Sequence, residues 1–221
     1  MRITRANNAA IKYACMNFHY AKAVPANTIG YNIFNGKDEW CGVVLFGTGA
    51  TPNIARPYGL AQGEVLELVR VALNGKQETT SMAVSGGLRE LKKDAPMCKL
   101  VVSYADADQN HYGVIYQATN WIYTGLENAG SRGAFIINGK KVHPRSVYSK
   151  MIMDEKGVLR HCPQTLEAVR KHFDPNAEYF ITKGKRKYLF PMNKKMRKEI
   201  AKLAVPYPKK EEIDNGNEKT I

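Results

Sequence analysis

Strand-like and helix-like segments alternate along the first 125 residues of the chain. A short strand is followed by a helix, three strands, a helix, a strand, a helix and another strand. The run EVLELVRVALN around residue 70 is long and apolar enough for the centre of a sheet. This order predicts an α/β (α+β) fold with a mixed central sheet and helices on both faces.

The rest of the chain is predicted to add short strands and a basic C-terminal hairpin and helix. AFIINGKKVH carries Asn138-Gly139 at a turn position, and Pro144 and Pro163 each stand at the start of a predicted helix. EYFITKGKRKYLF predicts two aromatic strands around a Lys-Gly-Lys turn. Asn193 is the predicted N-cap of the last helix. That helix is expected to bury three residues, Met196, Ile200 and Leu203.

Most of the excess positive charge lies near the C-terminus. The formal net charge is +13, and residues 183–210 hold 11 Lys and Arg against one acidic residue. Because aromatic and apolar residues interleave with these lysines, we expect a folded basic surface that binds a polyanion, with nucleic acid as the first candidate. The alternative is a solvated basic face that only aids solubility. The predicted nucleic-acid contacts are Lys183, Lys185, Arg186, Lys187, Lys194, Lys195, Arg197 and Lys198.

Several classes of protein are excluded by what the sequence lacks. The apolar runs are far shorter than the ~20 residues of a membrane helix, and the N-terminus has no secretory signal pattern. The four cysteines are isolated and form no CxxC pair, so we expect small buried hydrophobic residues rather than a zinc cluster or disulfide framework. We therefore expect a cytoplasmic protein with no membrane partner.

The stretch 64–125 resembles the GNAT acyltransferase fold, above all in GVIYQATNWIYTG. Together with ELVRVALN, SYADADQNHYGVIYQATNWIYTG and the terminal VPYPK, it resembles the Mom family of DNA-modifying proteins of Mu-like bacteriophages. This resemblance implies double-stranded DNA as the partner. It also implies a GNAT-like transferase that converts the N6 amine of adenine in phage DNA to a carbamoylmethyl (acetamido) form. The modification would protect phage DNA from restriction in the cytoplasm of the host bacterium.

Two other functions stay open at this point. One is a GNAT N-acetyltransferase that acts on a protein or a small amine, and the other is a non-catalytic DNA-binding module. In domain terms, the resemblance and the charge distribution predict a GNAT-like catalytic domain over 1–176. A basic nucleic-acid-binding extension packed on it would occupy 177–210, and a disordered acidic tail 211–221. The oligomeric state is left open, a homodimer included.

In the GNAT fold the acyl donor lies between two parted central strands, here ELVRVALN and LVVSYAD. Glu67 and Arg70 are an odd number of residues apart, so only a bulge between them would bring both to one face. There Glu67 would orient a base or a water, and Arg70 would hold an anionic donor or a phosphate. A structural ion pair is the alternative. Ser103, Tyr104 and Asp106 end the next strand, where α/β sheets open their ligand crevice.

Tyr116 stands where GNAT enzymes place the tyrosine that protonates the leaving group. Gln117 and Asn120, in the same segment, are predicted to contact an adenine edge or to satisfy backbone groups. His19 and Tyr20 end the first helix, beside the acceptor site in this fold. They are candidates for a general base and for stacking on an extruded base. For each of these residues ordinary packing is the alternative.

The sequence leaves open both a bound metal and the identity of the donor. Asp106, Asp108 and His111 could hold iron or manganese, although a solvated loop explains them as well and the calcium-loop pattern is not met. GNAT enzymes that use acetyl-CoA carry a Gln/Arg-x-x-Gly-x-Gly/Ala loop. This chain has only Gly75 there, with Gly86-Gly87 further on. The donor is therefore left open between acetyl-CoA and another activated two-carbon or aminoacyl compound.

Overall fold

The computed structural model describes residues 1–49, 53–130 and 133–209. By the proximity of its Cα atoms the chain divides into two compact units. The first unit comprises residues 1–105, 111–125 and the chain from residue 186 onward. The second unit comprises residues 106–110 and 126–185.

The helices are α1 (Asn8–Phe18), α2 (Thr80–Asp94), α3 (Val114–Gln117), α4 (Pro144–Tyr148), α5 (Leu166–His172) and α6 (Lys194–Ala201). The strands are β1 (Arg2–Arg5), β2 (Thr28–Phe34), β3 (Trp40–Gly47), β4 (Val65–Leu73), β5 (Leu100–Asp106), β6 (Ile122–Glu127), β7 (Gly133–Ile137), β8 (Lys140–Val142), β9 (Met151–Met153), β10 (Leu159–His161), β11 (Glu178–Ile181) and β12 (Lys185–Pro191).

A seven-stranded mixed sheet has the order β1-β2-β3-β4-β5-β12-β6. β4 lies at its centre, antiparallel to β3 and parallel to β5. Successive residues of β3 point to opposite faces, so Val43 and Leu45 pack with α1 while Val44 and Phe46 pack with α2. The mixed sheet with helices on both faces, predicted from the order of segments, is confirmed.

The asparagines predicted to cap two helices lie at the starts of α1 and α6. Asn7 caps α1 by accepting a hydrogen bond from the Ala10 amide at 2.9 Å, and Asn193 caps α6 in the same way. In α6, Met196 and Ile200 are buried as predicted. Leu203 is 39% exposed and follows the end of the helix, so the prediction that it is buried is wrong.

The basic segment does not form the predicted C-terminal hairpin. β11 pairs with β7 in a separate three-stranded sheet, whereas β12 lies between β5 and β6 in the large sheet. The reason is the apolar run in β12, where Tyr188 and Leu189 are fully buried and suit an interior strand. Residues 177–210 therefore include an interior strand of the main sheet rather than an appended motif. Their role in binding nucleic acid stays a prediction.

The predictions for one hairpin, two helix starts and the cysteines were correct except for one helix start. The hairpin around Asn138-Gly139 and the helix at Pro144 are confirmed, whereas α5 begins at Leu166 behind a Thr165 cap rather than at Pro163. All four cysteines are free and buried, as expected. In the described part of the chain, no helix is both long and apolar enough to span a membrane.

Gly113, which precedes α3, provides a test of how the segment bearing Tyr116 is positioned. Its φ is +72°, and a Cβ there would lie 2.4 Å from the ring of buried Tyr188. We expect Gly113→Ala to lower the free energy of unfolding by about 2–4 kcal/mol, measured by urea denaturation. Gly59→Ala is the control, since φ there is +63° with no atom within 4 Å. It should cost only about 1 kcal/mol of backbone strain, and equal losses in both variants would contradict the packing argument.

Candidate active site

The two central parallel strands separate part-way along their length. β4 and β5 pair at three positions, Val65–Leu100, Leu66–Val101 and Glu67–Val102. Both strands continue past the last of these pairs, β4 to Leu73 and β5 to Asp106. Where a ladder stops, backbone groups on the two inner edges need other partners. The two strands that the resemblance to GNAT enzymes predicts to part thus stop pairing after Glu67 and Val102, within the first unit.

A β-bulge in β4 lies just beyond this separation. The pairing of β4 with β3 passes from Arg70 directly to Leu68, so Val69 is the extra residue. Leu68 packs with α2, on the opposite face from Ala72, which packs with α1. Because the bulge interrupts the alternation of side chains, Glu67 and Arg70 share one face of the strand. The predicted bulge is confirmed.

Ser103 connects the two strands where the ladder ends. Its Oγ lies 3.0 Å from the Leu68 carbonyl oxygen and 2.8 Å from the Tyr116 hydroxyl oxygen. Ser103 is 1% exposed and Tyr116 8%. A serine hydroxyl has one proton, and a carbonyl oxygen can only accept. When Ser103 donates to Leu68, therefore, Tyr116 must donate to Ser103. When Ser103 instead donates to Tyr116, the Leu68 carbonyl loses that bond.

Tyr116 is held as a neutral phenol. Burial raises the pKa of its hydroxyl to about 12, with smaller contributions from Tyr20 and Glu67 in the same direction, while a hydrogen bond from Ser103 opposes the rise. Its ring packs against those of Trp121 and Tyr188, with centroids 5.0 Å and 4.8 Å away. The hydroxyl carries its proton at neutral pH, as a general acid must.

His19 is neutral, and its tautomer is set by the backbone. Burial, followed by the positive charge of Arg70 and the neighbouring His111, lowers the pKa of His19 to about 4. Its Nδ1 accepts a hydrogen bond from the Ala21 amide at 3.1 Å, so the ring proton lies on Nε2. With Nδ1 occupied and Nε2 protonated, His19 is suited to donate a hydrogen bond. The geometry argues against the predicted role as general base.

An aromatic group stands beside this imidazole. The His19 ring stacks on that of Tyr20, with centroids 4.4 Å apart and planes at 29°. The edge of Tyr20 in turn meets His111 at 6.1 Å. Tyr20 is exposed. Its role in stacking on an extruded base stays a prediction.

Arg70 has a buried donor that is not used. Its Nη1 donates to the Val69 carbonyl at 2.7 Å, while its buried Nε finds no partner within the described part of the chain. Buried guanidinium donors are seldom left without an acceptor. A ligand oxygen at this position would satisfy the Nε–H, which agrees with the predicted role in holding a donor or a phosphate.

The sequence matches a known protein family over most of its length. The model of the Mom protein family matches residues 1–209. The chain belongs to the Mom family. It is 26% identical over 196 residues to the methylcarbamoylase Mom of Escherichia phage Mu, a match that covers 86% of this chain and 76% of that protein.

Solved structures with a similar course of the chain are acetyltransferases of low sequence identity. A Bacillus subtilis acetyltransferase in complex with CoA has 10% identity and a TM-score of 0.44, over 86% of this chain and 97% of that one. A mutant of the spermidine N-acetyltransferase SpeG from Vibrio cholerae has 6% identity and a TM-score of 0.46, over 90% and 95%. At these scores they say nothing about the activity of this Mom family member.

Three further predicted residues have structural roles away from the Ser103–Tyr116 pair. Tyr104 packs in the cluster on the opposite face of β5, with Tyr58 and Leu60. Gln117 donates to the Tyr112 carbonyl at 3.0 Å. Asn120 has φ +59°, a left-handed conformation that asparagine tolerates well. A contact of Gln117 or Asn120 with an adenine edge stays a prediction.

The acidic residues after β5 are engaged within the second unit. Asp106 accepts a hydrogen bond from the Asp108 amide at 3.0 Å. Asp108 pairs with Lys141 at 2.6 Å and accepts from the Lys183 amide at 2.8 Å. Among residues 1–49, 53–130 and 133–209, no three carboxylate, imidazole or thiol side chains are grouped to hold a metal. The proposed metal cluster of Asp106, Asp108 and His111 is therefore not formed.

The predicted DNA-binding residues differ in exposure and fall into three classes. Arg186 is buried: it donates to the His111 carbonyl at 2.9 Å, and its guanidinium lies 4.7 Å from the centre of the Tyr112 ring. This position argues against a contact with phosphate. Lys187 is half-buried over the ring of Tyr58. The other six are exposed: Lys183, Lys185, Lys194, Lys195, Arg197 and Lys198.

Among the residues that the structure describes, no glycine-rich cradle for the pyrophosphate of CoA follows β4. Gly86 and Gly87 lie within α2 and are buried, and a Cβ on Gly87 would approach Val44 to 3.2 Å. These glycines allow close packing of the helix on the sheet. Only Gly75 remains in the loop between β4 and α2.

Two aromatic residues that were not predicted from the sequence hold the site together. Tyr188 donates to the Tyr112 carbonyl at 2.5 Å and packs on Tyr116, and fully buried Trp121 covers another side of Tyr116. The signal for Tyr188 was its place in the apolar run KYLFP, which the Lys-Gly-Lys turn before it assigned to a hairpin with EYFIT.

The hydrogen bonds of Ser103 predict an asymmetry between two conservative variants. Ser103→Ala leaves the buried Leu68 carbonyl and Tyr116 hydroxyl without their partner, and we expect a loss of about 1–3 kcal/mol in the free energy of unfolding. Tyr116→Phe allows Ser103 to keep donating to Leu68, so its loss should be about 1 kcal/mol. Urea denaturation of both variants measures the difference. A larger loss for Tyr116→Phe would contradict the assigned bonding.

The lowered pKa of His19 predicts a dependence of stability on pH. In the unfolded chain this imidazole takes up its proton near pH 6.5, whereas in the folded protein it does so only near pH 4. The folded state therefore loses stability as the pH falls from 6.5 to about 4. In His19→Gln this part of the loss should vanish, as measured by urea denaturation across that range. A constant difference between the two proteins would refute the neutral, half-buried imidazole.

Proposed function

We propose that this protein transfers a carbamoylmethyl group to the N6 amine of adenine in phage DNA and so protects that DNA from host restriction. Membership of the Mom family supports the proposal, as does the relative from phage Mu that is named a methylcarbamoylase. The structural observation that carries it is the buried Ser103–Tyr116 pair at the separation of β4 and β5.

The chemistry assigned to the site is a displacement at carbon. The N6 nitrogen of adenine forms a bond to the methylene carbon of the donor, and the leaving group departs with the electron pair of the bond that breaks. Tyr116 gives its proton to the leaving group, and Glu67 takes the proton that N6 loses. Glu67 is the last β4 residue paired with β5, opposite Val102, and Tyr116 bonds to the next residue of β5, Ser103.

Ser103 supports the acid through its single proton. In the resting site the Ser103 hydroxyl donates to the Leu68 carbonyl. After Tyr116 has given up its proton, the Ser103 hydroxyl can rotate and donate to the phenolate, 2.8 Å away. A hydrogen bond donated to the charged form stabilises it. The serine thereby offsets part of the cost of forming a buried phenolate.

The polar donors beside the opening fit a neutral amide. Arg70 offers its unused Nε–H and His19 its Nε2–H, and both are hydrogen-bond donors suited to the carbonyl oxygen of a carbamoyl group. We propose that the donor is an activated two-carbon or aminoacyl compound held by such contacts. Because the pyrophosphate cradle is missing, no step of this proposal uses CoA.

Adenine must reach the site from duplex DNA. We propose that the exposed lysines and Arg197 of α6 contact phosphates, which position the duplex without specifying its sequence. The N6 amine is a weak nucleophile because its lone pair is delocalised, so a site that orients both reactants has much to contribute. An extruded adenine would stack on Tyr20 beside His19.

The direct test is nucleoside mass spectrometry of DNA from cells that express the protein. We expect a deoxyadenosine species heavier by one carbamoylmethyl group. Tyr116→Phe should reduce its amount by about 10²–10⁴-fold, the contribution of a general acid. Tyr13→Phe is a matched control, since this exposed tyrosine on α1 lies at the surface and has no assigned role.

Each other outcome of that experiment is informative. A new species unchanged in Tyr116→Phe would retain the activity and discard the acid. An acetylated protein or polyamine with unmodified DNA would point to the N-acetyltransferase alternative. DNA that is bound by soluble, folded protein yet never modified would indicate a non-catalytic DNA-binding module and overturn the proposal.

A further inference from the structure

A two-stranded hairpin of the second unit exposes an apolar face. β9 and β10 pair Met153 with Leu159 and Met151 with His161, so these four side chains share one face of the hairpin. Met151, Met153 and Leu159 are 51%, 58% and 61% exposed. The face continues to exposed Tyr148, whose ring stacks on His161 at 4.5 Å and 19°.

The opposite face holds the hairpin in place. Ile152, paired with Arg160, packs against the apolar cluster of the second unit that contains Phe135 and Val147. One aliphatic residue therefore anchors the hairpin, while two methionines and a leucine face solvent. This is the reverse of the usual pattern, in which apolar residues of a sheet face the core. A contiguous exposed apolar patch of this kind marks an interaction surface.

The charges around this face are predominantly positive. Asp154 in the turn is neutralised by Arg160 at 2.6 Å, and Glu155 by Lys171 at 3.1 Å. Lys150 and Lys156 are exposed, and in the described part of the chain neither of them forms an ion pair. Two uncompensated cations thus stand at the two ends of β9, Lys150 directly before Met151 and Lys156 in the turn, which suits a polyanion that also has an apolar interior.

We propose that this hairpin is a wedge that inserts Met153 and Leu159 between stacked base pairs of duplex DNA, with Lys150 and Lys156 on the flanking phosphates. Methionine and leucine are among the side chains that unstack base steps from the minor groove and kink the duplex. The inference rests on the proposed function for its choice of DNA as partner. It assigns DNA distortion to the second unit, which none of the predicted contacts in α6 would supply.

A second copy of the chain is the other occupant to consider. Two such faces in contact would bring Lys150 and Lys156 of one copy close to those of the other, in a protein whose net charge is already +13. Like charges opposed across an interface weaken it. The phosphates of DNA complement the same lysines, so the charge pattern favours DNA.

The test combines DNA binding with DNA bending. Binding of full-length protein to a duplex labelled at both ends would be followed by fluorescence energy transfer and by titration. Met153→Ser/Leu159→Ser should weaken binding about tenfold and abolish the change in end-to-end distance. The matched control is Met97→Ser, a similarly exposed methionine in the first unit at 68% exposure. Circular dichroism checks that each variant is folded. The single variants Met153→Ser and Leu159→Ser measure how much each side chain contributes to binding and bending.

The lysines are tested through salt dependence. Lys150→Gln/Lys156→Gln should reduce the slope of log affinity against log salt by about 2. Unchanged bending and affinity in the Met153→Ser/Leu159→Ser variant would overturn the wedge. So would sedimentation data showing a wild-type dimer that this variant dissociates while DNA affinity is unchanged. If the protein modifies adenine in a duplex that it does not bend, the wedge is wrong and the proposed function stands. If it bends the duplex but never modifies it, the proposed function is wrong and the wedge stands.

Discussion

The site depends on the point where β4 and β5 stop pairing after Glu67 and Val102. Past that pair, the Leu68 carbonyl has no partner from the ladder, and the side chain of Ser103 supplies one. Because that hydroxyl has a single proton, its bond to Leu68 requires that Tyr116 be the donor in the hydrogen bond between Tyr116 and Ser103. One backbone discontinuity thus creates the opening and orients the residue assigned to proton transfer.

The surrounding structure maintains that arrangement by close packing. Gly113 places the start of α3 directly against the ring of Tyr188, and Tyr188 and Trp121 enclose Tyr116. The bulge at Val69 turns Arg70 to the face that carries Glu67. Burial then keeps Tyr116 protonated and His19 neutral, by the same cost of placing charge away from water. The chemistry proposed for the site therefore follows from packing as much as from residue type.

Features with a local cause were predictable from the sequence. Capping asparagines, Asn-Gly turns and the central apolar strand depend on neighbouring residues, and Asn7, Asn193 and β4 lie where expected. Pairing between distant segments was not predictable in the same way. The lysines around β12 suggested a surface hairpin, whereas the sheet placed its apolar residues in the interior. Arg186 is buried with Tyr188 because both belong to the same interior strand. The tautomer of His19 depends on a hydrogen bond from one backbone amide, that of Ala21.

The most direct measurement of the central claim is a crystal structure of the protein bound to a DNA duplex that contains the target adenine. The account predicts that the N6 atom lies at the opening between β4 and β5, within hydrogen-bonding reach of Glu67 and beside the hydroxyl of Tyr116. An adenine bound with N6 away from both residues would contradict the account, however tightly the duplex is held.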